Sequence, residues 1–340
     1  MKLIKTVDAA GHVLCHDITQ IIRGVTKDAA FRKGHVVTEG DIPVLLSLGK
    51  ENLYVWEKQE GMLHENDAAE ILYALCAGEN MIPTDVKEGK IEVIADCDGL
   101  LLIDKDRLLA VNSLGDMMIA TRHGGFPVKK GDKLAGTRII PLVIPEEKME
   151  AAKAIGGGQP LLTLIPFQGK SCGIVTTGSE VFYGRIEDSF TPVIEAKLAE
   201  YGASVSEKTT LPDAHEEITA SILSMIQKGV EMVICTGGMS VDPDDRTPLA
   251  IKNTGAQVVT YGAPVLPGAM FMLAYYEGRV PVMGLPACVM YAERTIFDLV
   301  LPRLMANEPV TPAYLAALGH GGLCLNCAVC TYPNCGFGKE

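Results

Sequence analysis

The sequence has no uninterrupted apolar run near the ~18 residues that a membrane span needs. Its first residues, Met1-Lys-Leu-Ile-Lys-Thr-Val-Asp, also lack the long apolar stretch of a signal peptide. Both absences predict a cytoplasmic protein with no membrane partner. Positive charge is short as well: 30 Lys and Arg stand against 42 Asp and Glu, a formal net charge of −12. That deficit argues against nucleic acid and anionic membrane surfaces. It leaves room for a small anionic ligand, which backbone amides can bind locally. No internal repeat of fixed period and no low-complexity tract is present. What remains is an ordinary globular composition, 48% hydrophobic and 21% charged over 340 residues, enough for about two domains.

Two short turns organise the chain: Thr177-Gly178-Ser179-Glu180 and Thr236-Gly237-Gly238-Met239-Ser240. Each follows an apolar, β-favouring run, Cys172-Gly-Ile-Val-Thr and Glu231-Met-Val-Ile-Cys, and each precedes a segment able to form a helix. Strand, glycine turn and helix is how an open α/β sheet presents ligand sites, because the turns lie beyond the carboxyl ends of the strands. Glycine lets backbone N–H groups approach an anion, and a helix N-terminus favours negative charge. The backbone at Gly178, Gly237 and Gly238 therefore suits a phosphate or oxyanion. Thr177, Ser179, Thr236 and Ser240 add hydroxyl groups. Glu180, Asp188 and Asp245 place carboxylates on neighbouring turns, an oxygen set suited to Mg²⁺. Helix capping is the competing reading for Asp188, which precedes Ser-Phe-Thr-Pro, and for Asp244, which precedes Asp-Arg-Thr-Pro.

The pattern extends through Gly184-Arg-Ile-Glu-Asp188-Ser, a helix-like Pro192-Val-Ile-Glu-Ala-Lys-Leu, Val265-Leu-Pro-Gly268 and Val282-Met-Gly284-Leu-Pro286. In that order and spacing, residues 170–305 resemble the molybdopterin-binding domain of molybdenum-cofactor biosynthesis proteins, and among these the molybdopterin molybdotransferase family. The resemblance implies a three-layer α/β domain with a mostly parallel sheet, preceded by smaller β-containing domains. It implies adenylylated molybdopterin and molybdate as ligands, Mg²⁺ as cofactor and AMP as a product. Asp245, Glu180 and Asp188 would then be the catalytic acids. Thr177, Gly178, Ser179, Thr236, Gly237, Gly238, Ser240, Gly284 and Pro286 would hold the ligand.

The chain also departs from that family. Ser179 stands where Thr-Gly-Asp-Glu has Asp, Ala269 where Pro-Gly-Lys-Pro has Lys, and Ala287 where Gly-Leu-Pro-Gly has Gly. One carboxylate and one cation are lost, so a non-catalytic carrier or sensor of the cofactor, or a nucleotide-pterin hydrolase, stands beside molybdate insertion. A homo-oligomer and a molybdoenzyme or cofactor-pathway protein remain open as partners.

Around this core the chain divides as 1–58, 59–155, 165–308 and 309–340. Asp41-Ile-Pro-Val-Leu-Leu-Ser-Leu-Gly49 reads as a helix capped by Asp41 and Gly49, and Leu53-Tyr-Val-Trp56 as a strand. The opening run Ala10-Gly-His-Val-Leu-Cys-His-Asp-Ile also resembles the family's entry segment. His12, His16 and His35 sit singly among glycines and apolar residues and read as structural rather than ligating. Residues 62 to 80 carry Ala68, Ile71, Leu72 and Leu75 at helical spacing. From 82 to 144 come short strands, then a helix over 146–155 and a hinge at Gly156-Gly-Gly-Gln-Pro160.

Six of the ten cysteines are scattered, and most of these read as small buried hydrophobes. The other four, Cys324, Cys327, Cys330 and Cys335, fall within twelve residues of a tail flanked by Gly319, Gly321 and Gly322. The run resembles bacterial ferredoxin ligand spacing, except for a last gap of four. A 4Fe–4S cluster is favoured over zinc, whose ligands more often come in separated pairs. A mobile tail without metal is the third reading.

Overall fold

The computed structural model describes residues 2–22, 26–55, 60–240, 242–243 and 245–339. Trp56, read as the end of a strand, and Asp244, read as a helix-capping residue, lie outside the described residues. Two compact units form. The first comprises Met1–Asp96, Ile103–Arg122 and Gly131–Thr163, and the second Cys97–Leu102, His123–Lys130 and Leu164–Glu340.

In the first unit, Lys2–Lys5 pairs antiparallel with Asn52–Val55 over a small core that includes Leu14, Val37, Leu45 and Leu53. The helix expected between caps at Asp41 and Gly49 runs Asp41–Ser47, with Gly40 and Leu48 in the cap positions and Asp41 as its first residue. Its carboxylate accepts from the Thr38 amide at 2.8 Å and meets His35 Nε2 at 2.7 Å. The hydrogen bonds from His35 and Thr38 hold the Asp41 carboxyl down at about 2. His35 is thus spent on the helix entry, in keeping with a structural role.

The helix expected over 62–80 is shorter, Glu65–Cys76, because Met62–His64 pairs as a strand with Val143–Pro145. His64 rather than an acid caps it, with Nδ1 accepting from the Asn66 amide at 3.2 Å. The short strands assemble into an antiparallel sheet in the order Met81–Pro83, Lys90–Ala95, Lys133–Ile139, Met117–Thr121. A helix that the apolar pattern does not reveal, Lys105–Asn112, starts at Asp104, whose carboxylate accepts from the Arg107 amide at 2.9 Å. The 156–160 run is clamped rather than loose. The Arg107 guanidinium donates to the carbonyls of Gly156, Gln159 and Pro160 at 2.5, 2.9 and 3.1 Å.

The second unit is built on one six-stranded sheet. Its order is Ser204–Leu211, Ser171–Thr177, Met232–Thr236, Val280–Leu285, Met272–Tyr276, Gln257–Tyr261. The first four strands are parallel, Met272–Tyr276 runs against them, and Gln257–Tyr261 pairs antiparallel with Met272–Tyr276 and so runs with the first four. Strands buried on both faces read as near-continuous apolar runs, and successive side chains serve opposite layers. Ile174, Met232, Ile234 and Met283 pack with Ile194, Leu198, Phe297 and Val300 from helices Phe190–Ala199 and Ile296–Met305. Val175, Val233, Cys235 and Val282 pack with Ile218, Ile222, Ala250 and Ile251 from helices His215–Gln227 and Thr247–Asn253. This is the expected three-layer α/β arrangement with a mostly parallel sheet. Cys172 and Cys235 are among its fully buried residues, and burial pushes both thiols up to about 12.

Candidate functional site

Three neighbouring parallel strands end together at the two glycine turns. Thr176 pairs with Thr236, and Thr236 with Leu285, so residues 177–180, 236–240 and 284–286 share one edge of the sheet. The chain therefore brings both glycine turns and the Gly284-Leu-Pro286 run into one place.

The second turn packs directly on the first. At Gly237, with φ at +80°, a Cβ would stand 2.1 Å from the Thr177 carbonyl oxygen, so no side chain fits. Thr247 ties the turns together, its hydroxyl lying 3.1 Å from that of Thr177 and donating to the Gly237 carbonyl at 2.9 Å. Gly284 leaves room for Met239, whose sulfur would be 2.3 Å from a Cβ there. Among the described residues, no acceptor engages the N–H groups of Gly237 and Gly238. Just below them, the Thr236 hydroxyl is buried with no hydrogen-bond partner among the described residues. Ser240 is exposed beside it, and Pro286, on the neighbouring strand end, opens the short turn Ala287–Met290.

The first turn is occupied differently. The Gly178 amide donates to the Leu211 carbonyl at 3.3 Å. The Ser179 amide and hydroxyl both donate to Asp213 Oδ2, at 2.9 and 3.0 Å. The Gly178 and Ser179 amides are thus already used, and the turn carries the negative charge of Asp213 and Glu180. Glu180 is exposed, with its carboxylate folded back over Gly178.

Asp188 is saturated. Its carboxylate accepts from the Phe190 amide at 2.8 Å, the Thr191 amide at 3.1 Å, the Thr191 hydroxyl at 2.5 Å and the Thr176 hydroxyl at 3.1 Å. Burial works to raise this carboxyl, but the bonds from Thr191, Phe190 and Thr176 more than offset it and hold it below its ordinary value. It sits at the start of helix Phe190–Ala199, where an acid is favourable. Asp245 is half-buried and accepts from the Asp242 amide at 3.2 Å. Tyr261 lies over this turn, donating to the Met239 and Ser240 carbonyls at 3.2 and 3.3 Å. Burial and the nearby Asp245 charge raise its phenol.

Among the described residues, no three Asp, Glu, His or Cys side chains are grouped to hold a metal ion. Glu180, Asp188 and Asp245 thus do not form a three-carboxylate cage for Mg²⁺. Asp213, Thr247 and Tyr261 complete the site without having been singled out in the sequence. For Asp213 a signal exists: Leu211-Pro-Asp213 follows a strand and precedes the Glu216-Glu217 helix start.

Residues 173–306 match a family model described as a probable molybdopterin binding domain, and residues 3–57 one described as a domain of unknown function. The molybdopterin molybdenumtransferase of Synechococcus elongatus is 26% identical over 208 residues, covering 57% of this chain and 49% of that protein. The chain thus spans about half the length of that relative. A CinA-like protein of Mycobacterium tuberculosis is 36% identical over 75 residues, 22% of this chain and 17% of the relative. Among solved structures, the molybdopterin biosynthesis enzyme MoaB of Thermus thermophilus aligns with 41% of this chain and 98% of its own, at 21% identity and a TM-score of 0.33.

Proposed function

We propose that this chain, a member of the molybdopterin-binding family through residues 173–306, binds adenylylated molybdopterin at the paired glycine turns. There it inserts molybdate with release of AMP. The observation that carries the reading is the pairing itself: Gly237 is pressed onto the Thr177 carbonyl, with the Gly237 and Gly238 amides and the Thr236 hydroxyl free of partners among the described residues. Such a cradle suits a phosphate oxygen, because backbone N–H groups at a turn concentrate positive potential. Glu180 and Asp213 lie at the first turn, and Asp245 lies near Tyr261, which covers the end of the second. Cleaving the ligand's phosphoanhydride with water, and exchanging molybdate oxygens for dithiolene sulfurs, changes no oxidation state. Neither step calls for an external oxidant or reductant.

Asp213 bears on the Ser179 departure. The carboxylate that the family carries within the turn is absent at Ser179, yet Asp213 stands 3.0 Å from the Ser179 hydroxyl and restores an acid to that place. Mg²⁺ commonly keeps several waters and takes one or two carboxylates plus substrate phosphate oxygens. A ligand phosphate with Asp245 or Glu180 meets that need without a three-acid cage. A second reading, a carrier that binds without turnover, is favoured by Ala269, which is exposed and leaves its place without a cation.

Protein incubated with adenylylated molybdopterin, Mg²⁺ and molybdate distinguishes these. AMP release that depends on molybdate supports insertion, release without molybdate indicates a hydrolase, and tight binding with no release indicates the carrier. An Asp245→Ala variant is expected to keep the ligand and lose turnover. Unchanged turnover in that variant removes Asp245 from the mechanism.

A further inference from the structure

The cysteine tail does not hang free at its glycines. After helix Pro312–Ala317 the chain turns back onto the α/β core. The Leu266 amide donates to the Gly322 carbonyl and the Cys324 amide to the Leu266 carbonyl, both at 2.8 Å, and the Gly338 amide donates to the Gly321 carbonyl at 2.9 Å. Tyr332 is the main anchor. Its hydroxyl donates to the Asp298 carbonyl at 2.9 Å, and the Arg294 guanidinium lies over its ring, 5.0 Å from the centroid. Burial pushes the Tyr332 phenol well above its ordinary value, and Phe337 is buried in the same core.

Both ends of the cysteine run are therefore fixed, while its middle is not covered. Cys324 and Cys335 are half-buried and pack against the core; Cys327 and Cys330 are exposed. All four line one cavity of about 640 Å³, together with Arg294 and Pro267. Core packing explains buried cysteines such as Cys172 and Cys235. It does not explain two exposed thiols sharing a cavity with two anchored ones, and all four are free rather than disulfide-bonded.

We propose that Cys324, Cys327, Cys330 and Cys335 bind one metal centre through four thiolates, a 4Fe–4S cluster by the spacing of the run. The thiols are not grouped as ligands in the structure. The stretch free to bring them together is residues 325–331, exposed between Cys324 and the anchored Tyr332. As each iron–thiolate bond forms, one thiol proton is released to solvent. The cluster is delivered preformed by an iron–sulfur donor, so insertion involves no net oxidation. Residues 291–294, which also line the cavity, continue directly from the Ala287–Met290 turn beyond Pro286. The centre would thus lie one short segment from the ligand site.

The full chain, purified without oxygen and then reconstituted with equal amounts of ferrous and ferric iron and with sulfide, so that no electron need be gained or lost, is to be assayed for iron, sulfide, zinc and visible absorption. The expected result is a brown protein with about four iron and four sulfide per chain, bleached on reduction. Changing both exposed residues, Cys327→Ser with Cys330→Ser, should lower iron content at least about fivefold while leaving thermal unfolding of the α/β unit in place. A colourless protein with about one zinc per chain, lost in the same variant, keeps the four-thiolate site and overturns the cluster. Protein that holds neither metal before or after reconstitution overturns the proposal.

Discussion

At the first glycine turn the Ser179 amide and hydroxyl are both committed to Asp213, and Glu180 folds over Gly178. At the second, Gly237 presses against the Thr177 carbonyl oxygen, and no acceptor among the described residues takes the Gly237 or Gly238 amide. The two turns share one local design of strand, glycine and helix, yet one is filled with carboxylate and the other holds open donors. A glycine turn after a parallel strand is therefore a place where an anion can bind, and the neighbouring strand decides whether the protein's own carboxylate takes that place first. Here Asp213, just beyond the strand Ser204–Leu211, takes the first turn. The second packs against the Thr177 and Thr247 hydroxyls and the Arg246 backbone, and Tyr261 lies over its far end.

The largest effect expected from this contrast is at Gly237. Gly237→Ala puts a methyl group 2.1 Å from the Thr177 carbonyl oxygen in a left-handed conformation. Backbone strain of that kind costs about 1–3 kcal/mol, and displacement of the turn should weaken ligand binding at least about 100-fold. Urea unfolding and ligand titration measure the two separately. An Ala variant that binds like the wild type would remove the second turn from the site.

A smaller effect, with opposite signs on stability and binding, is expected from Thr236→Val. The substitution removes a buried hydroxyl that lacks a partner among the described residues. An unsatisfied buried group costs about 1–3 kcal/mol, so the free protein should become more stable by about 1 kcal/mol. If that hydroxyl binds the ligand, affinity should fall about tenfold. Thermal unfolding with and without ligand reads both; unchanged affinity would place the hydroxyl outside the ligand's reach.

The smallest effect on binding is expected at Asp188, whose carboxylate is already consumed by Phe190, Thr191 and Thr176. Asp188→Ala should cost about 0.5–2 kcal/mol of stability through the helix start and change ligand affinity by less than about twofold. Its folded carboxyl titrates below the ordinary 3.8, so its contribution is complete above that value and is lost as pH falls through the lowered one. The variant should lack that share of acid destabilisation. A variant that binds normally but loses turnover would instead give Asp188 a part in the chemistry.

The α/β unit was legible because its central strands are buried on both faces, which turns 172–176 and 231–235 into apolar runs that stop at glycine. The placement of the two turns on one edge followed from that. What each turn holds did not, because the deciding contacts are long-range. Ser179 and Asp213 are 34 residues apart, as are Asp298 and Tyr332. For the same reason the glycines at 319, 321 and 322 suggested a free tail, whereas one aromatic anchor and a few amide bonds return it to the core. In the first unit, the helix Lys105–Asn112 escaped notice because a cap at Asp104 and surface exposure, not an apolar stripe, define it. The strand Met62–His64 depends on a partner some 80 residues later, so its helix-like composition misled.

The most direct test of the contrast is a titration of the protein with molybdopterin and with the same pterin lacking its phosphate, repeated in Gly237→Ala and Glu180→Gln. If the second turn cradles the phosphate, wild-type protein should prefer the phosphorylated ligand by at least about tenfold, equivalent to ~1.4 kcal/mol. Gly237→Ala should abolish that preference and Glu180→Gln should keep it. Equal affinity of the wild-type protein for the two ligands would contradict the account, as would a preference that survives Gly237→Ala.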